Sequence, residues 1–149
     1  MATSKQKLGD FGELLIQKNC SCPKCKKQKT LKKLPPNFKC ADIICDFCGF
    51  VAQVKTSTVK DINSIPNKIP GAAWAPQRDR MEAGIYTPLY LVLYCNNTET
   101  HSAFYLSADL QMQDMFEPRK PLSSSAKRAG WQGFHINLKL VKKFLARIL

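Results

Sequence analysis

Two Cys-x-x-Cys pairs, Cys22-Pro-Lys-Cys25 and Cys45-Asp-Phe-Cys48, constrain this chain more than anything else in it. Nineteen residues separate them, within the range of a tetrahedral four-cysteine zinc site. Four thiolates complete the coordination of Zn²⁺ and leave no open position, so the expected site is structural. Its contribution is folding free energy, on the order of 10 kcal/mol in small zinc modules near neutral pH. The intervening loop is too polar to bury much area of its own, which makes a metal staple physically sensible. Cys20 and Cys40 fit the knuckle spacing less well and fall outside the expected ligand set. Cys95 ends an apolar run and reads as a buried thiol.

Seven cysteines is an odd count, and the first residues, Met1-Ala-Thr-Ser-Lys-Gln6, contain no apolar stretch. A secreted disulfide framework does not fit; a reducing interior with metal-bound thiolates does. The expectation is a cytoplasmic protein, nucleoid-associated in a bacterial cell. The longest apolar runs are far too short to span a bilayer, so no membrane partner is expected. A length of 149 residues fits one domain, 1–149, with a zinc-binding subdomain at about 20–50. With 44% apolar residues it can bury a core.

The charge is lopsided. The chain has 23 Lys and Arg against 11 Asp and Glu, a net +12. Between Glu13 and Asp42 there are eight lysines and no acid. A polyanionic partner follows, nucleic acid ahead of an anionic membrane.

Leu8, Phe11 and Leu15 recur at helical spacing and predict a helix over 5–19 that carries Glu13. Strands are expected at 38–44 and 50–56, with the second knuckle as the turn of their hairpin. Because side chains alternate along a strand, Gln53 and Lys55 share a face, and the antiparallel partner can bring Asp42 beside them. Residues 57–71 read as a loop and 72–83 as a helix with Pro76 in or near its first turn. Strands at 89–94 and 102–106, a short helix at 109–116, a basic loop at 119–133, a closing strand at 134–138 and a helix at 140–149 complete the pattern.

Asp, knuckle, Gln-x-Lys is a constellation with chemical content. Metal-assisted phosphodiester hydrolysis needs oxygen ligands for Mg²⁺, a positioned water, and positive charge near the phosphate. Asp42 offers a carboxylate, Gln53 an amide carbonyl and Val54 its main-chain carbonyl, while Lys55 can hold the water and stabilise developing charge. Alone the pattern is weak; its weight comes from lying on both strands of a zinc-fixed hairpin.

The run from Lys39-Cys-Ala-Asp42 to Lys55 resembles the PD-(D/E)XK nucleases, and more closely the DpnI-type methyl-directed restriction endonucleases. The segment from Arg119 to Gly133, with Ala129-Gly130-Trp131, is similar to that group's basic loop. The resemblance covers nearly the whole chain. It implies an α/β (α+β) fold, a mixed sheet flanked by helices with an inserted four-cysteine zinc site. It further implies a Mg²⁺-dependent endonuclease acting on double-stranded DNA, with adenine-methylated DNA as the leading substrate class. Asp42, Gln53 and Lys55 would be catalytic. Trp131 would contact DNA, and the resemblance implies that Glu13 is an accessory acid. Lys127 and Arg128 beside Trp131, and Arg78 and Arg80 on the predicted helix, are further DNA-contact candidates, with Lys60 and Lys68 as phosphate contacts.

Two departures matter. The family usually has Glu at the position of Gln53, so this site has one fewer negative charge and should hold Mg²⁺ more weakly. The chain ends at Leu149 without the winged-helix reader of that group, so specificity is expected to be narrower, looser or supplied by a partner. A double-strand break by a chain with one active site requires a homodimer, a transient dimer on DNA, or two nicks. The alternative reading is a catalytically inactive zinc-containing DNA- or RNA-binding module in which Gln53 records lost chemistry.

Overall fold

A computed structural model describes residues 2–36, 38 and 40–149. The first helix, α1 (Ser4–Asn19), begins in a capping box: Gln6 N–H donates to Thr3 Oγ1 at 3.2 Å, and Thr3 N–H donates to Gln6 Oε1 at 2.7 Å. Two otherwise orphaned donors are thereby satisfied. The strands are β1 (Leu31–Lys33), β2 (Ile43–Cys45), β3 (Val51–Thr58), β4 (Lys68–Gly71), β5 (Leu89–Cys95), β6 (Thr100–Leu106), β7 (Phe116–Pro118), β8 (Phe134–Asn137) and β9 (Ala146–Arg147). The second helix, α2 (Trp74–Glu82), precedes β5, and Pro76 lies in its first turn, where a missing N–H costs nothing.

A six-stranded sheet has the order β1-β2-β3-β5-β6-β9, and a three-stranded sheet has the order β4-β8-β7. Only β3 and β5 run parallel; the other pairs are antiparallel. The architecture is thus mixed α+β with a mixed sheet, as expected.

Alternation along β5 divides the interior in two. Leu89, Leu91 and Leu93 join Met81, Phe134 and Ile136 on one face, below α2 and the small sheet. Tyr90 and Val92 join Ile16, Ile43, Ala52 and the knuckle residues Cys22 and Cys45 on the other, below α1. Helix α1 lies very close to β3, because a Cβ added at Gly12 would collide with the Thr56 side chain. That close approach requires glycine.

Several boundaries depart from the sequence reading. The strand expected at 38–44 starts only at Ile43; its Lys39 lies outside the described residues, and Cys40 has a left-handed φ of 61° that breaks extended pairing. The end of β3 extends past residue 56 because Ser57 and Thr58 pair with Leu93 and Tyr94. The far end of the 57–71 loop is β4, recruited by β8. The expected helix at 109–116 is two 3₁₀ turns followed by β7. The strand at 134–138 does not close the large sheet; it is the centre of the small one. The C-terminal helix expected at 140–149 is absent. Two 3₁₀ turns drop Val141 and Leu145 into the core, and β9 then pairs with the edge of β6. An unpaired sheet edge offers a row of backbone partners, and here it outcompetes a helix too short to be stable alone.

Candidate active site and metal centre

The metal centre is built by two matching turns. In each Cys-x-x-Cys the chain folds back after the second cysteine through a left-handed residue, Lys26 with φ 66° and Gly49 with φ 80°. Lys26 N–H donates to Cys22 O at 3.0 Å and Gly49 N–H donates to Cys45 O at 2.9 Å. The pairing of β1 with β2 then brings the two turns together.

Cys22, Cys25, Cys45 and Cys48 place their sulfurs within 4.8 Å of one another. The Cys22–Cys48 and Cys25–Cys45 sulfur separations are 3.6 and 3.7 Å. A tetrahedron with Zn–S bonds of about 2.3 Å has edges of roughly 3.8 Å, so these four residues could hold zinc. Burial opposes ionisation of the Cys45 thiol, but the Thr30 hydroxyl at 3.2 Å and the N–H groups of Cys48 and Phe47 prevail and pull it to about 6. Cys20 stays outside the cluster, and burial raises its thiol to about 11.

The hairpin of β2 and β3 extends away from these knuckles with Ile43 opposite Ala52, a register that places Asp42 opposite Gln53. Asp42 N–H donates to Ala52 O at 2.9 Å. Its carboxylate accepts a 2.7 Å bond from Val54 N–H through Oδ2, which fixes the side chain and leaves Oδ1 available. Within a strand the N–H and C=O of one residue point the same way, so the Val54 carbonyl faces the Asp42 side, beyond the end of β2.

Gln53 and Lys55 lie on the opposite face of β3 from buried Ala52 and Val54, as strand alternation requires. Asp42, Gln53 and Lys55 line one cleft of about 420 Å³, whose other walls are Phe38, Cys40, Ala41, Ala72, Ala73, Pro76, Gln77 and Phe134. Among the described residues Lys55 forms no ion pair. Three oxygen donors, from Asp42, Gln53 and Val54, form a hard ligand set that fits Mg²⁺, with one carboxylate rather than two.

Glu13 approaches from behind. It lies on α1, across the sheet from Gln53 and Lys55, and shares with Asp42 a smaller cavity of about 110 Å³. Lys33 bridges it to Asp10, with Nζ 3.1 Å from Glu13 Oε2 and 3.2 Å from Asp10 Oδ1. Burial raises the Glu13 carboxyl above its ordinary value and the charge of Asp42 raises it further, while the Lys33 bond pulls the other way.

The basic loop closes the cleft's rim. Arg119 N–H donates to Gly133 O at 3.0 Å and Leu122 N–H to Trp131 O at 2.8 Å, so the loop extends the β7–β8 hairpin. Gln132 O accepts from Trp74 N–H at 2.8 Å, satisfying an orphan donor at the start of α2, where Ala73 offers no side-chain cap. The half-buried Trp131 ring lies against Gly133 and close to Ala72 of the cleft wall. Arg128 stacks over that ring at 4.4 Å, and Lys127 is exposed.

The remaining candidates are less convergent. Arg78 and Arg80 lie on α2 but do not line the cleft; Arg78 is 3.4 Å from its neighbour Asp79, and Arg80 donates to Pro76 O at 3.2 Å. Lys60 is exposed beside β3, and Lys68 is held by Glu117 at 2.7 Å. Trp74 packs on the core with its ring 5.8 Å from that of Phe134, as expected of a core residue.

Sequence reasoning missed Gln77, Phe134 and Phe38 as cleft residues. Gln77 carries a legible signal: it stands four residues before buried Met81, a polar side chain on the buried stripe of a helix. The other two depend on how the sheets meet.

With that geometry in hand, the one family model to report is described as DpnI: Dam-replacing family, and it matches residues 2–146.

Proposed function

The chain belongs to the DpnI, Dam-replacing family, and from that premise we propose that it is a restriction-type endonuclease that hydrolyses phosphodiester bonds of double-stranded DNA. Adenine-methylated DNA is the substrate class that membership favours. The single observation behind the reading is the convergence of Asp42, Gln53 and Lys55 on one cleft, with Asp42 locked by Val54 N–H. This order of groups on a zinc-stapled hairpin supports a PD-(D/E)XK arrangement. We take residues 1–149 as one nuclease unit with its zinc-binding part at about 20–50.

In this reading Asp42, Gln53 and the Val54 carbonyl hold Mg²⁺. When bound, Mg²⁺ supplies Lewis-acid polarisation of the phosphate and favours ionisation of water. Lys55 Nζ orients the attacking water and stabilises charge that builds on the phosphate. The water oxygen bonds to phosphorus, the ester P–O bond breaks, and the departing oxygen takes up a proton. Trp131, Arg128 and Lys127 on the rim grip the DNA, and Arg78 and Arg80 lie farther along the same side. Glu13 is an accessory acid whose charge partly replaces the one Gln53 lacks. Each chain has one such centre, so a double-strand break calls for a dimer on DNA. Thiolate ligands suit a reducing, cytoplasmic setting. Among the described residues no helix is long and apolar enough to cross a membrane.

The test is digestion of matched adenine-methylated and unmethylated plasmids with Mg²⁺ and with Mn²⁺. Cutting of methylated plasmid alone is expected, with Asp42→Ala and Lys55→Ala lowering the rate at least 100-fold, on the scale of catalytic-group losses. Cutting of both plasmids would remove the methyl specificity and keep the nuclease. Intact DNA binding with no cutting under either metal would leave the inactive binding module as the reading.

A further inference from the structure

Gln77 is 8% exposed and lines the cleft that holds Asp42 and Lys55. Among the described residues its side-chain amide has no hydrogen-bond partner. A buried amide left unpaired is destabilising. An apolar side chain would serve the packing better, since α2 buries only Gln77 and Met81, one turn apart on one stripe. The amide therefore has the character of a group that completes its bonds with something entering the cleft.

The walls around it define what that is. Ala73, Pro76 and Phe134 give an apolar flank, and the opposite side carries the groups assigned above to the phosphate. A ligand must then present a flat apolar body, an edge with adjacent donor and acceptor, and a phosphate. A nucleotide does so, and a glutamine amide pairs in bidentate fashion with adenine through N6 and N7. At about 420 Å³ the cleft falls within the ordinary range of small-ligand sites.

We infer that Gln77 is a specificity-determining residue that reads the edge of an adenine next to the phosphate held at Asp42 and Lys55. The inference rests on the DNA-binding reading but not on cleavage. One good bidentate pair discriminates against the wrong base by roughly 5- to 150-fold.

The experiment is selection from a randomised duplex library, synthesised once with dATP and once with N6-methyl-dATP. Binding is carried out in Ca²⁺, and the retained DNA is sequenced. Wild-type protein should enrich adenine at one position at least 5-fold. Gln77→Leu should bind DNA with that position flattened and with a melting temperature equal to or above wild type. Gln77→Glu should shift the preference toward cytosine, whose N4 amino group donates to a carboxylate. The proposal is overturned if Gln77→Leu enriches the same base at the same position, or if wild-type protein enriches no base at all. Should the Leu variant fail to fold, the Glu variant decides: an unchanged adenine preference there overturns it. Since selection needs no cutting, a plasmid that survives digestion removes the nuclease reading without touching this one.

Discussion

At the scale of single residues, the position of Asp42 is set by one bond. Its Oδ2 is anchored by Val54 N–H at 2.7 Å, which costs the cation site one acceptor direction but removes side-chain freedom. Gln53 then decides how strongly the site holds Mg²⁺, because ligand charge count tunes affinity for a hard cation. Gln53→Glu is expected to lower the Mg²⁺ concentration at half-maximal binding by roughly tenfold, read by isothermal titration calorimetry. An unchanged or weaker affinity would show that Gln53 is not a ligand. Glu13 bears on the same balance. Its carboxyl is raised by burial and by Asp42, so the folded chain favours its protonated form. That contribution to stability is present below the ordinary value of 4.5 and fades as pH rises through the raised one. Lys33, bonded to it at 3.1 Å, limits the rise. The triad of Asp42, Gln53 and Lys55 was legible in the sequence because strand parity is local. Gln77 was only half legible: its place on the helical stripe was visible, but not the cleft it faces.

Elements are governed by pairing and close approach. Gly12 lets α1 settle on β3, and a side chain there would collide with Thr56. Thr56 is β-branched and stiff, so it cannot easily turn aside. Gly12→Val is expected to lower stability by about 1–3 kcal/mol, the usual cost of overpacking, measured by urea unfolding. A variant as stable as wild type would mean that the helix shifts freely. The cysteine turns, α1, α2 and the β5–β6 hairpin were read correctly because capping, periodicity and alternation are local signals. The last ten residues were misread. Leu140, Phe144 and Ile148 recur at helical spacing, yet all three are exposed, and the segment instead gives β9 to the open edge of β6.

On the scale of the whole molecule, two cores meet across one sheet, and the metal centre belongs to only one of them. Cys22 and Cys45 are buried with Ile16, Ile43 and Tyr90 on the α1 side. The β5–β6 strands separate them from the cluster of Leu91, Phe134 and Ile136. Cys45→Ser should therefore loosen the α1 side first. Hydrogen exchange should accelerate in β1, β2 and α1 by at least tenfold while β8 keeps its protection. Uniform acceleration across both sheets would instead place the metal at the root of global stability. The sequence by itself determined the zinc ligands, the hairpin and the side of β3 on which Gln53 and Lys55 stand, since each follows from covalent spacing or from the two-residue period of a strand. Only the tertiary structure decided what faces that side. The cleft exists because β8 and α2 pack against the sheet from distant parts of the chain. Glu13 reaches Asp42 only because Gly12 allows α1 so near. Contacts of that kind are set by burial shared between segments, and no local pattern encodes them.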